Sequence, residues 1–208
     1  MALEDFYSNF HLLFRWLHII SGITWVGLLY FFNFVNIPLQ GALDDNGKKI
    51  VNPQLMPRAL FWFRWGAMFT FLAGWVLFTI KYMYTPGAGF GPTSLFSDEN
   101  GITGRAAWIL MGMAFGTMMW FNVWFVIWPA QKKILRKTVA GDELTRVRTL
   151  AAKASRANTF MSGPMLFGMI GAPNYGAANW VTLLVAISIG MLAAKGAYML
   201  STKVSTNV

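Results

Sequence analysis

The chain contains no cysteine. That excludes disulfides, thiolate metal sites, iron–sulfur clusters and covalently attached haem c, which requires a Cys-x-x-Cys-His run. Acidic residues are nearly as scarce: Glu4, Asp5, Asp44, Asp45, Asp98, Glu99, Asp142 and Glu143 are all there are among 208 residues. None falls within a long apolar run, so a buried carboxylate pair for hydrolysis and an acidic ion-coupling site within a span are both missing. With only His11 and His18, there is no zinc cluster and no Ser-His-Asp set.

What remains is apolar. Hydrophobic residues make up 56% of the chain and charged residues only 12%, the balance of an integral membrane protein. Runs at 12–35, 60–80, 106–128 and 180–200 reach the roughly 20 residues that cross a bilayer. A fifth run, 157–172, is short and carries Gly163-Pro164, Gly168 and Gly171. It spans if it continues the polar helix before it, with Pro164 as a tolerated kink. The expected fold is all-α, one membrane domain over 1–208 with about five transmembrane helices near 10–36, 59–84, 105–129, 142–172 and 178–201. The first run is too long for a cleavable signal peptide and is expected to remain as a helix.

The formal charge of +9 is concentrated. Lys132, Lys133, Arg136, Lys137, Arg146, Arg148, Lys153 and Arg156 fall between two runs, which places that segment in the cytoplasm together with Lys48, Lys49, Arg58 and Lys203. The N-terminus is then outside and the C-terminus cytoplasmic. Because topology accounts for the basic bias, the expected partner is the lipid bilayer, with no nucleic acid. The same basic segment is expected to be helical, with Asp142 as N-cap and Leu144, Val147, Leu150, Ala151 and Ala154 as its apolar stripe. In the third run, Gly112 and Gly116 have the spacing that lets helix backbones approach. Trp120, Trp124 and Trp128 recur on one face, as lipid-facing aromatics and an interface belt or, alternatively, as a cofactor wall.

The first run holds the chain's most informative pair, Arg15 and His18, three residues apart on one helical face. An ionisable residue inside a span is a functional-site candidate by default. A neutral imidazole can bind haem iron or relay protons, and Arg15 suits a haem propionate or an anionic substrate. Arg105 is a second cation at similar depth. His11 lies seven residues before His18, about 10 Å along a helix, so the two cannot ligate one iron. Three readings stand open: a haem ligand, a proton or substrate site, or a histidine that only hydrogen-bonds a neighbouring helix while Arg15 snorkels to the interface.

Several segments resemble the N-terminal membrane domain of the bacterial cytochrome-c-linked urate oxidase family. They are Phe14-Arg15-Trp16-Leu17-His18 through Trp25-Val26-Gly27, Leu60-Phe61-Trp62-Phe63-Arg64-Trp65 with Gly74, and Thr103-Gly104-Arg105. Asn122 through Lys133, and Asn158 with Pro164-Met165-Leu166-Phe167, continue the match in order. The resemblance implies a bacterial inner-membrane protein that oxidises urate and passes electrons to a cytochrome c. Since this chain carries no haem-attachment motif, the acceptor is expected to be a separate cytochrome c. The expected site has His18 as a ligand or proton relay, Arg15 and Arg105 binding anionic groups, and Asn122 or Asn158 supplying polar contacts. A non-covalent haem b is expected on His18, with Arg15, Arg105 and Trp25 around it. The family's further histidines align with Leu110 and Ala157. Two roles follow: a redox subunit working through His18, or a non-catalytic subunit of a larger membrane complex.

Overall fold

The computed structural model describes residues 5–204; Glu4 lies outside the described residues. Five long helices account for most of it: α1 Phe6–Ala42, α2 Asp45–Tyr82, α3 Gly104–Leu135, α4 Gly141–Asn174 and α5 Trp180–Ser201. The all-helical expectation holds. Helices α1, α2, α3 and α5 are each long and apolar enough to cross a membrane. They turn side chains such as Leu12, Ile19, Ile23, Leu72, Leu184 and Leu192 outward. Water disfavours such a surface and lipid does not, so these helices mark a membrane protein.

Two small antiparallel hairpins join α2 to α3, β1 Tyr84–Thr85 with β2 Gly89–Phe90 and β3 Ser97–Asp98 with β4 Gly101–Ile102. They define one end of the bundle, here called the hairpin end. The N-terminus of α1 lies there too, its Tyr7 ring 6.3 Å from that of Tyr84. Asp5 caps α1 by accepting from the backbone N–H groups of Tyr7 and Ser8. Those bonds and one from the Ser8 hydroxyl hold its carboxyl below the ordinary carboxylate range.

Several helices overrun their expected ends. Helix α1 continues to Ala42, and α2 starts at Asp45 rather than near 59, running through Pro53 and Pro57. Asp44 begins it by accepting from the Gly47 N–H at 2.7 Å. The Gln40 and Asn52 amides then bond reciprocally at 2.8 and 2.9 Å, tying the end of α1 to the start of α2. Helix α4 begins with Ala140 in the cap position and no side-chain cap bond. Asp142 is not the N-cap; it sits with Glu143 in the first turn, where a negative charge complements the helix dipole. Of the expected stripe, Val147 and Ala151 are buried against Ala130, whereas Leu150 faces outward.

Helix α4 is less apolar than α1, α2 and α5, yet its second half is packed into the bundle. Asn158, Thr159 and Ser162 on it have no exposed surface. A Cβ at Gly163 would run into the Gly190 backbone of α5, and one at Gly168 into the Gly112 backbone of α3. Glycine is needed at these crossings because the backbones themselves touch. Gly112 therefore packs as its spacing suggests, while Gly116 meets only a Met165 side chain, 3.8 Å from where its Cβ would be.

Helices α1 and α3 each widen to a π-helical turn, Phe31–Asn36 and Asn122–Ile127. Each turn ends just before a proline, Pro38 or Pro129, whose missing N–H leaves a carbonyl without its usual partner and favours a slip in register. Asparagines in both turns reach α4. Asn33 donates to Ser155 Oγ at 2.8 Å, and Asn122 donates to Asn158 Oδ1 at 2.8 Å. The main core of Trp25, Leu29, Phe32, Phe63, Met119 and Val123 closes between α1, α2 and α3.

Candidate functional site

His18 lies where α1 faces α2. Its Nδ1 is 2.8 Å from the Thr70 carbonyl oxygen. A carbonyl only accepts, so Nδ1 donates, and in the neutral ring the lone pair is left on Nε2. That nitrogen has no hydrogen-bond partner among the described residues. The ring fits because position 74 is glycine: a Cβ there would lie 3.0 Å from Cε1 and 3.3 Å from Nδ1. Thr70 is steadied in turn by its hydroxyl, which donates to the Gly66 carbonyl at 2.7 Å. Gly66 itself sits close to the α1 backbone, a Cβ there lying 3.2 Å from Ser21 O and Trp25 N.

The imidazole borders a narrow crevice of about 50 Å³ between α1, α2, α3 and α4. Trp25, Thr70, Phe71, Gly74 and Trp75 line it from α1 and α2; Met113, Gly116, Thr117, Met165 and Met169 line it from α3 and α4. Trp25 is 2% exposed, and its indole N–H is buried without a partner. Space of this size holds one or two waters and falls far short of the roughly 300–1,000 Å³ of cofactor pockets. The residues around His18 therefore do not fit a haem in this arrangement, since seating one requires the four helices to part. A larger cavity of about 370 Å³ lies alongside, lined by Thr117, Met118, Phe121, Asn122 and Met161, so Thr117 borders both spaces.

Arg15 is one helical turn nearer the hairpin end than His18, and Arg105 opens α3 at that same end. Both are exposed. Lys81, half-buried near the end of α2, lies close enough to feel the charge of both. Among the described residues the sole ion pair is Lys133 with Glu143, at 3.7 Å and at the opposite end. Arg15 and Arg105 thus gather around Lys81, at an end that also carries Asp5, Asp98 and Glu99.

The structure brings His18 and Trp25 to one crevice, and Arg15 and Arg105 each close to Lys81, but Asn122 and Asn158 lie in neither group. Neither asparagine lines the His18 crevice. Asn158 accepts from Asn122 and donates to the Met119 carbonyl at 2.9 Å, a bridge that ties α3 to α4. The tryptophan stripe also differs from a lipid-facing belt. Trp120 stacks on Phe71 with centroids 4.2 Å apart, Trp124 meets Trp65 edge-on at 5.5 Å, and Trp128 lies under the Arg64 guanidinium at 3.8 Å. All three rings are half-buried and seal α3 against α2.

The sequence alone singles out no role for Thr70, Lys81 or Met169, and Gly74 and Met165 stand in it only as parts of the matched segments. The signal available was spacing: Thr70 with Gly74, Met113 with Thr117, and Met165 with Met169 are each four residues apart, on one face of their helices. Arg64, in the middle of an apolar run, also deserved singling out by the rule that drew attention to Arg15.

The model of the family described as urate oxidase N-terminal matches residues 40–90 and 92–207. The chain belongs to the urate oxidase N-terminal family. No curated protein and no solved structure matches it. Within the urate oxidase N-terminal match fall Arg105, Asn122 and Asn158, whereas Arg15, His18 and Trp25 precede it. Leu110 and Ala157 do not line the His18 crevice. Ala157 faces outward from α4.

Proposed function

We propose that this urate oxidase N-terminal family member is a redox subunit of a bacterial inner-membrane enzyme. It has five spans, its N-terminus outside and its C-terminus in the cytoplasm. Charge supports this orientation, because the basic residues between α3 and α4 lie at one end while residues 83–104 carry no Lys or Arg. The hairpin end then faces outward. There Arg15, Lys81 and Arg105 attract an anionic substrate such as urate, and electrons leave for a separate cytochrome c. His18 works one turn deeper, through Nε2, as a ligand or a proton acceptor. The observation that carries this reading is the bond from His18 Nδ1 to Thr70, which orients the ring and leaves Nε2 unused. No electron step is assigned to haem b, because the crevice does not admit one.

A second reading, a non-catalytic subunit of a larger membrane complex, draws on Leu110 and Ala157, which stand where the resembling family carries histidine. The two separate on one experiment: urate-dependent reduction of added cytochrome c by membranes that contain the chain with its native partners. For the redox subunit, His18→Ala lowers the rate by about 10²- to 10⁴-fold, the range for removing a proton-transfer group. Normal assembly with an unchanged rate establishes the accessory subunit instead.

A further inference from the structure

We propose that the crevice at His18 is a binding site for a single soft monovalent cation, copper(I). The imidazole Nε2 and the thioethers of Met113, Met165 and Met169 supply the donors. The inference rests on the preceding reading only in taking Nε2 as the working atom of His18.

Four observations lead to it. First, the donor set is soft and neutral. One imidazole and three methionines line the same small space, and thioether with imidazole is the combination that selects copper(I) over hard divalent ions. Among the described residues no group of three or more His, Cys, Asp or Glu can hold a metal, so no hard site competes. Second, the histidine is prepared as metal-binding histidines are. One ring nitrogen donates to a backbone carbonyl at 2.8 Å, fixing the tautomer and ring orientation while the other nitrogen keeps its lone pair. Third, size decides between ligands. About 50 Å³ excludes haem and any substrate ring, yet it accommodates one ion. Fourth, the remaining walls suit a cation of low charge. Trp25, Phe71 and Trp75 present aromatic rings, whose faces attract cations, and no carboxylate lies among the lining residues. A single positive charge on neutral ligands is also less costly to bury than a double one.

The test uses the full chain purified in detergent under anaerobic conditions and titrated with copper(I) against the chromogenic chelator bicinchoninate. One copper(I) per chain is expected to compete with the chelator, and X-ray absorption is expected to show both sulfur and nitrogen scatterers. Replacing Met113, Met165 and Met169 together by leucine keeps volume and hydrophobicity. That variant is expected to lose at least about tenfold in affinity, together with the sulfur shell; His18→Ala is expected to lose the nitrogen scatterer. Met199→Leu, on the exposed face of α5, leaves both unchanged. Failure of the wild-type chain to take copper from the chelator overturns the proposal. So does equal affinity in the triple leucine variant, or zinc(II) binding as tightly as copper(I). Should the triple variant fail to fold, the wild-type spectrum still decides, since a shell of nitrogen and oxygen alone rules out methionine ligation. Copper binding without an effect of His18→Ala on urate oxidation leaves this site standing and removes the redox reading. Loss of activity without copper binding does the reverse.

Discussion

At the scale of the residue, His18 is oriented by what α2 omits as much as by what it offers. Thr70 offers a carbonyl and Gly74 offers the absence of a side chain. Gly74→Ala places a methyl group 3.0 Å from Cε1, tighter than ordinary contact, so the ring must tilt and its bond to Thr70 must weaken. We expect the histidine ¹⁵N spectrum to change from a single Nδ1–H tautomer to a mixture of the two neutral forms. An unchanged spectrum would show that the ring is held by something other than this fit. His18 itself was legible in the sequence, because a histidine stands out in an apolar run. Its orientation was not, because its partner is a backbone carbonyl, which every residue carries. The three methionines were equally hard to read. Methionine is a common core residue, and only the fold brings Met113 of α3 to Met165 and Met169 of α4.

Among elements, α4 shows where hydropathy alone misleads. Its polar residues are spent on neighbouring helices: Ser155 on Asn33, Asn158 on Asn122 and the Met119 carbonyl, and Ser162 on Tyr30 at 2.8 Å. Asn158→Ala leaves Asn122 without its acceptor and Met119 without its donor. We expect a cost of about 1–3 kcal/mol, the usual penalty for stranding buried polar groups, measurable by unfolding in mixed micelles. A stability equal to wild type would mean that water takes over both bonds. The apolar helices were readable from run length, though their ends were not. Pro53 and Pro57 lie near the start of α2, yet Asp44 and the Gln40 to Asn52 amide pair hold one continuous helix across them. The π-turns escaped notice because a slip in register changes no residue; the prolines that follow them were the visible clue.

As a whole molecule, the bundle is sorted by charge. Arg15, Lys81 and Arg105 collect at the hairpin end, where no ion pair forms among the described residues, basic residues crowd the opposite end, and the crevice lies between. The tryptophan stripe reads as an interface belt from composition, but rings that stack on Phe71 and Arg64 serve as a seam between helices. Sequence could not distinguish these, because a helix face shows what it carries and not what it meets. The same limit hid Lys81, which joins Arg15 and Arg105 only once α2 folds back beside α1.

The enclosure of α4 also bears on how the chain is made. A translocon admits a segment to the bilayer according to its own apolarity, and a helix bearing Asn158, Thr159 and Ser162 gains little there alone. Its polar residues find their partners on α1 and α3, while the crossing of Gly163 with Gly190 forms only after α5 has been synthesised. We expect a chain truncated after Tyr175 to leave α4 open to protease, and the full chain to protect it. Protection in the truncated chain would show that α3 suffices to draw α4 in. The last helix to be made thus completes the packing of the one before it.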